Sequence, residues 1–84
     1  MDIKNIFFEN REISGMEEVT IRDEFIKLGQ AMKLAGAVGS GIDAKILIQN
    51  GEVTVNDEVE LRRGRKLYKD DIFSYDGKEY IIKN

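Results

Sequence analysis

The sequence predicts a small α+β domain in which two short helices pack on a mostly antiparallel sheet of about four to five strands. Apolar residues recur with helical spacing only between residues 28 and 50. Short alternating runs, separated by turn signals, lie on both sides of that region. Two helices joined by about five residues must pack at an angle, and their apolar stripes are then buried against a sheet.

The composition excludes several classes of protein. The chain has 84 residues, of which 42% are hydrophobic and 35% are charged, as is typical of one globular domain. It contains no cysteine and no histidine. Disulfides, thiolate or imidazole metal sites and Ser-His or Cys-His nucleophiles are therefore excluded. A domain this small has little room for a pocket that would serve a carboxylate-only hydrolase. We predict no enzymatic activity, no cofactor and no metal.

The sequence also bears on location. Its apolar runs are a few residues long, far short of a membrane span, and no secretory signal is visible. We therefore expect a cytoplasmic monomer without a membrane partner.

The N-terminal part is the hardest to interpret. Residues 1–16 are either an extension or an extra strand, before a single domain over residues 17–84. Alternating polar and apolar residues predict a half-buried strand over Glu17–Ile21. Phe25–Ile26 either extends this strand or leads into the first helix, and Asp23 is a possible N-cap.

Two helices are predicted in the centre of the chain. Leu28–Ala35 has apolar residues at the i, i+3, i+4 and i+7 positions of a buried stripe. Ile42–Asn50 follows Ser40, a good N-cap, with Asp43 at the capping-box position. Each helix is followed by a glycine that suits the left-handed C′ position, Gly36 and Gly51.

Two hairpins are predicted after the helices, each with a two-residue turn of the type that needs positive φ. The first joins Val53–Val55 to Glu58–Leu61 through Asn56-Asp57, and the second joins Ile72–Tyr75 to Lys78–Ile82 through Asp76-Gly77. We assign four aromatic residues to the core, Phe25, Phe73, Tyr75 and Tyr80. Tyr68 is expected to be half-buried on the sheet rather than stacked on a base.

The net charge of −3 is unevenly distributed. Residues 1–26 and 70–84 carry −4 and −2, whereas residues 27–69, with eight cations and five anions, carry +3. Within that region, Arg62-Arg63-Gly64-Arg65-Lys66 places four cations in five residues. Arginine engages phosphate bidentately, and screening limits the reach of distant acidic groups to about 10 Å. This cluster therefore favours a nucleic acid over a small substrate.

Four segments together resemble a known family. They are Leu28–Lys33, Gly39–Lys45, Gly51–Asn56 and Arg62–Tyr68, the last being the most specific. They are similar to the RNA-binding domain of small-subunit ribosomal protein S-four, the alpha-L motif, and most of all to its stand-alone bacterial YaaA/YbcJ-like form. The resemblance spans residues 28–73 and implies RNA binding without catalysis, usually of ribosomal RNA in ribosome assembly, with ribosomal proteins as possible further partners. The sequence departs from the family pattern at two turns, at Asp57 and at Lys69-Asp70.

The resemblance also implies which residues contact RNA. By position, Lys33 lies on the first helix and Ser40 and Lys45 lie at the second, where free N–H groups favour an anion. Gln49 shares the face of Lys45. The loop supplies Arg62, Arg63, Arg65 and Lys66. We expect these cations to converge on one exposed patch.

Two other interpretations stay open at this point. The basic cluster could be a solvated loop whose charges only offset Glu58 and Glu60. Alternatively, the protein is an adaptor that docks a basic partner, such as a ribosomal protein, through its acidic ends. The acidic residues concerned are Glu17, Glu18, Asp70 and Asp71.

Overall fold

Two helices pack on a five-stranded sheet, and a separate two-stranded ribbon lies beside them. The computed structural model describes residues 15–84. In chain order its elements are β1 (Met16–Thr20), β2 (Phe25–Lys27), α1 (Leu28–Leu34), α2 (Gly41–Gln49), β3 (Val53–Val55), β4 (Glu58–Val59), β5 (Lys66–Tyr68), β6 (Ile72–Tyr75) and β7 (Lys78–Lys83). The predicted extension or extra strand lies outside the described residues, except for Gly15 and Met16, and Met16 belongs to β1.

The large sheet has the strand order β1-β7-β6-β3-β4. β1 is parallel to β7, with Val19 opposite Ile82, and the other pairings are antiparallel. The predicted fold class, two short helices on a mostly antiparallel sheet, is therefore confirmed. The ribbon of β2 and β5 is a second antiparallel sheet that the sequence analysis did not predict.

The core lies between the helices and the large sheet. Leu28, Ala31 and Met32 on α1 are completely buried, as the helical spacing predicted. Ala44 and Ile48 of α2 meet them, and sheet residues complete the core, among them Val53, Phe73, Tyr80 and Ile82. The rings of Phe73 and Tyr80 stack with centroids 4.7 Å apart and planes 11° apart.

Local signals set the helix ends. The Ser40 hydroxyl accepts a hydrogen bond from the Asp43 N–H at 3.2 Å and caps α2 as predicted. Gly36 and Gly51 adopt φ values of +77° and +79°. The prediction of Asp23 as an N-cap is wrong, because α1 starts directly after β2 and Lys27 occupies the N-cap position without a side-chain cap.

Both predicted hairpin turns form, with positive φ at Asn56, Asp57, Asp76 and Gly77. The first hairpin is shorter than predicted, because its return strand ends at Val59 instead of Leu61. The physical reason is Glu60, which is only 7% exposed. Its carboxylate accepts the backbone N–H of Arg62 at 3.0 Å and turns the chain out of the strand.

Two aromatic residues differ from the prediction. Phe25 is half-buried on the ribbon instead of lying in the core, and Tyr68 is 44% exposed on the same ribbon. Tyr75 is partly buried against the core. Phe25 and Tyr68 are opposite each other on β2 and β5, so both side chains lie outside the core.

Candidate nucleic-acid interface

A cleft of about 330 Å³ opens between the starts of the two helices and the loop that follows the first hairpin. We call it the basic cleft. Its walls are Lys27, Gly29, Gln30, Lys33, Gly41, Arg63 and Gly64. Three of these residues are cations, and none of the wall residues within the described part of the chain is acidic. A concave surface with one sign of charge concentrates its field and attracts polyanions.

Backbone hydrogen bonds hold the loop against the start of α1. The N–H of Leu28 donates to the carbonyl of Arg65 at 2.8 Å, and the N–H of Gly29 donates to the carbonyl of Arg63 at 3.0 Å. The first N–H groups of a helix have no partner within it. The loop carbonyls therefore do what a capping side chain does elsewhere, and Arg63 is fixed beside α1.

Three glycines lie between the cationic side chains of the cleft wall. A Cβ atom on Gly29 would lie 3.6 Å from Cβ of Arg63. One on Gly41 would lie 4.0 Å from Cδ of Lys33, so the lysine side chain runs along the first residue of α2. Gly64 has open space around it. The result is a shallow site with accessible backbone, two lysines and one arginine around it.

A buried carboxylate organises the rest of the basic cluster. Glu60 accepts hydrogen bonds from Nε of Arg62 at 2.8 Å and from Nη1 of Arg65 at 2.7 Å. The Arg62 hydrogen bond, joined by that of Arg65, lowers the pKa of Glu60 to about 2, although burial acts in the opposite direction. Arg62 and Arg65 are thus both paired with Glu60, although the Arg62 side chain is still 72% exposed.

The remaining two cations of the cluster have different positions. Arg63 lines the basic cleft and makes no ion pair with any described residue. Lys66 belongs to β5, and its Nζ atom lies 4.7 Å from the centroid of the Phe25 ring. The four cations of the basic cluster therefore lie in three different environments. Arg62 and Arg65 contact Glu60, Arg63 lines the cleft, and Lys66 lies over the Phe25 ring.

Comparison with known proteins identifies the family of this chain. The S4 domain family matches residues 19–83. The chain belongs to the S4 domain family. It is also 48% identical over 59 residues to a protein of Bacillus subtilis (strain 168) called "Probable ribosome maturation protein RlbA". That match covers 70% of this chain and 83% of the relative. The resemblance found in the sequence is thereby confirmed.

The second helix of this S4 domain lines the cleft with its first residue, Gly41, and extends away from it. Lys45 and Gln49 are exposed, one and two turns after Gly41, so both continue from the cleft wall along α2. Neither belongs to the cleft wall. The Ser40 hydroxyl is engaged by the N–H of Asp43, which gives it a structural role at the cleft margin. Of the predicted residues, the structure brings only Lys33 and Arg63 together in the cleft.

The sequence analysis did not identify two side chains that line the cleft. Gln30, three residues before Lys33 on α1, was not proposed as a contact. Lys27 was not considered at all. Lys27 ends a strand of only three residues, Phe25–Lys27, and so short a segment gives no alternation that could have revealed it.

The acidic C-terminal residues have structural partners. Asp71 accepts hydrogen bonds from the Tyr68 N–H at 2.7 Å and from the Asn56 side chain at 3.2 Å. Asp70 has a positive φ and lies 4.0 Å from Nζ of Lys83. These contacts stabilise the turn before β6.

Two further observations concern residues 15–84 as a whole. No helix there combines the length and the apolar character needed to cross a bilayer. The same part of the chain contains no cluster of three or more acidic side chains placed to hold a metal ion.

Proposed function

We propose that this S4 domain is a non-catalytic module that binds structured RNA, namely ribosomal RNA during ribosome maturation in the cytoplasm. The single observation that carries the proposal is the basic cleft, where Lys27, Lys33 and Arg63 surround accessible backbone and none of the described wall residues is acidic. Membership of the S4 domain family and the name of the Bacillus subtilis relative support the setting.

The groups around the cleft suit phosphate oxygens. Arg63 offers a planar fork of donors that binds a phosphate bidentately, and the two lysines act as mobile point charges. The free N–H groups at the start of α2 add a positive dipole end next to Gly41. We expect these groups to bind phosphates rather than base edges, so that recognition follows the shape and backbone of a folded RNA.

Such a mechanism has a characteristic salt dependence. If the cleft, Lys45 and Lys66 neutralise about four to five phosphates, the logarithm of the association constant falls with log[salt] at a slope of about −3 to −4.5. A filter-binding titration with fragments of ribosomal RNA measures it, and an unstructured RNA of equal length is the comparison. Tight binding of the structured fragments with this slope supports the proposal, whereas affinity that ignores salt overturns it.

A pull-down separates RNA binding from protein docking. We expect the monomeric protein to retain ribosomal components that are lost after nuclease treatment. Retention that survives nuclease and depends on Glu17 and Glu18 would instead show an adaptor that docks a basic protein.

A further inference from the structure

The outer face of the β2–β5 ribbon carries two aromatic and two cationic side chains. The register pairs Phe25 with Tyr68, Ile26 with Leu67, and Lys27 with Lys66. Directly opposed residues share a face, and faces alternate along each strand. Leu67 is completely buried, so the Ile26–Leu67 pair faces the core and the other two pairs face outwards.

The aromatic part of this face is open to solvent. Tyr68 is 44% exposed, and its ring packs against Phe25 with centroids 5.9 Å apart at an angle of 50°. The Nζ atom of Lys66 lies over the other aromatic ring, 4.7 Å from the Phe25 centroid. Phe25 thus supports Tyr68 from the side and holds the Lys66 ammonium group by a cation–π contact.

Within residues 15–84, the cationic part of the face has no acidic ion-pair partner. Lys27 and Lys66 are directly opposite each other, and like charges in that arrangement destabilise a strand pair. Neither lysine forms a salt bridge with a described residue. An anion bound between them would remove this repulsion.

The ribbon face is continuous with the basic cleft, because Lys27 belongs to both. A nucleic acid whose phosphates follow the cleft therefore reaches Tyr68 within the space of a nucleotide or two. Single-stranded bases of RNA stack on exposed aromatic rings whose neighbours bind the adjoining phosphate.

We propose that the β2–β5 ribbon is a stacking platform for one unpaired nucleobase of the bound RNA. Tyr68 supplies the stacking surface, and Lys27 and Lys66 bind the phosphate next to that base. The preferred ligand is then an RNA helix interrupted by a bulged nucleotide, and not a continuous duplex. This inference rests on the proposed function, since the paired part of the RNA lies in the basic cleft.

The test uses two RNA hairpins that differ only in one bulged 2-aminopurine nucleotide. Affinities of the full chain for both hairpins are measured by fluorescence anisotropy, and stacking is followed by quenching of 2-aminopurine fluorescence. We expect the bulged hairpin to bind about fivefold to 100-fold more tightly, as one stacked base contributes. Quenching should accompany binding.

Two substitutions isolate the ring. Tyr68→Leu keeps an apolar side chain on β5 but removes the aromatic face, and Tyr68→Phe keeps the ring without the hydroxyl. We expect Tyr68→Leu to lose the preference and the quenching while its affinity for the uninterrupted hairpin is unchanged. Tyr68→Phe should retain both. Thermal melts verify that each variant is folded.

The outcomes separate this inference from the proposed function. Salt-dependent binding of both hairpins with equal affinity overturns the platform and leaves RNA binding intact. A preference that persists in Tyr68→Leu also overturns it. Failure to bind either hairpin or any ribosomal RNA fragment overturns both proposals.

Discussion

The carboxylate of Glu60 accepts a hydrogen bond from Nη1 of Arg65 at 2.7 Å, although Glu60 is only 7% exposed. Arg62 donates to the same carboxylate from both its backbone N–H and its side-chain Nε. One buried acid therefore fixes both flanks of the loop that carries Arg63 into the basic cleft. A buried charge that loses its partner is costly, so this contact should be sensitive to substitution.

Glu60→Gln should make the stability of the domain less dependent on pH. The pKa of Glu60 is lowered to about 2, so its stabilising effect is complete above its usual pKa near 4.5 and is lost as the pH falls towards 2. We expect the wild type to lose about 1–2 kcal/mol of unfolding free energy over this range through Glu60, allowing for the solvent exposure of Arg62. Urea unfolding at a series of pH values, compared with Glu60→Gln, measures the difference.

Glu58→Gln is the matched control for that experiment, since Glu58 is exposed and makes no ion pair with the described residues. Its acid dependence should equal that of the wild type. Parallel pH profiles for wild type and Glu60→Gln would show that the Glu60 contacts do not stabilise the fold.

The same two substitutions give opposite predictions for RNA affinity. Each makes the chain more positive by one charge, which by itself strengthens binding to a polyanion. Glu60→Gln should nevertheless weaken binding, because Arg62 and Arg65 lose one of the two acceptor oxygens and the negative charge that position the loop. Glu58→Gln should bind as well as the wild type or slightly better. Anisotropy titrations at one fixed salt concentration decide the matter, and tighter binding by Glu60→Gln would mean that charge alone governs affinity.

Two substitutions of Ser40 separate the effect of helix capping on stability from the effect of local charge on RNA affinity. Ser40→Ala should lower the unfolding free energy by about 1 kcal/mol, because the N–H of Asp43 loses its acceptor. Ser40→Asp preserves a good N-cap but places a carboxylate next to Gly41. We expect it to be as stable as the wild type and to bind RNA more weakly. Equal RNA affinity for Ser40→Asp and wild type would argue against ligand binding at this helix start.

The turn of the first hairpin offers a stabilising substitution. Asn56 and Asp57 have φ values of +50° and +72°, a region in which glycine is much less strained than aspartate. Asp57→Gly should therefore raise the unfolding free energy by a few tenths to about 1 kcal/mol. Chemical denaturation measures it, and Asn56→Gly, which breaks the hydrogen bonds of Asn56 to Asp71 and Ile72, should destabilise instead. A loss of stability in Asp57→Gly would contradict this account of the turn.

The elements with local signals were predictable from the sequence. The cap at Ser40, the glycines after both helices and the Asp76-Gly77 turn act within a few residues, so their spacing alone sets where helices and hairpins begin and end. The buried stripe of α1 follows for the same reason. The family resemblance then supplied the arrangement of these elements.

The contacts between distant residues were not predictable. Phe25 pairs with Tyr68 across more than forty positions of the chain, and strands of three residues leave too short an alternation to detect. The same strand pairing places Lys27 in the wall of the basic cleft. A cluster of four cations also looks uniform in sequence. In the structure Glu60 pairs with Arg62 and Arg65, whereas Arg63 has no ion-pair partner among residues 15–84.

The measurement that tests the basic cleft most directly is the salt dependence of RNA binding by two double variants. Lys33→Ala with Arg63→Ala removes two cations from the cleft wall, and Lys69→Ala with Lys78→Ala removes two exposed cations elsewhere. We predict that the first pair reduces the magnitude of the log–log slope by about 1.4 to 1.8, as expected for two lost phosphate contacts, and that the second pair leaves it unchanged. Equal changes in both double variants, or no change in the first, would contradict the assignment of this cleft as the RNA-binding site.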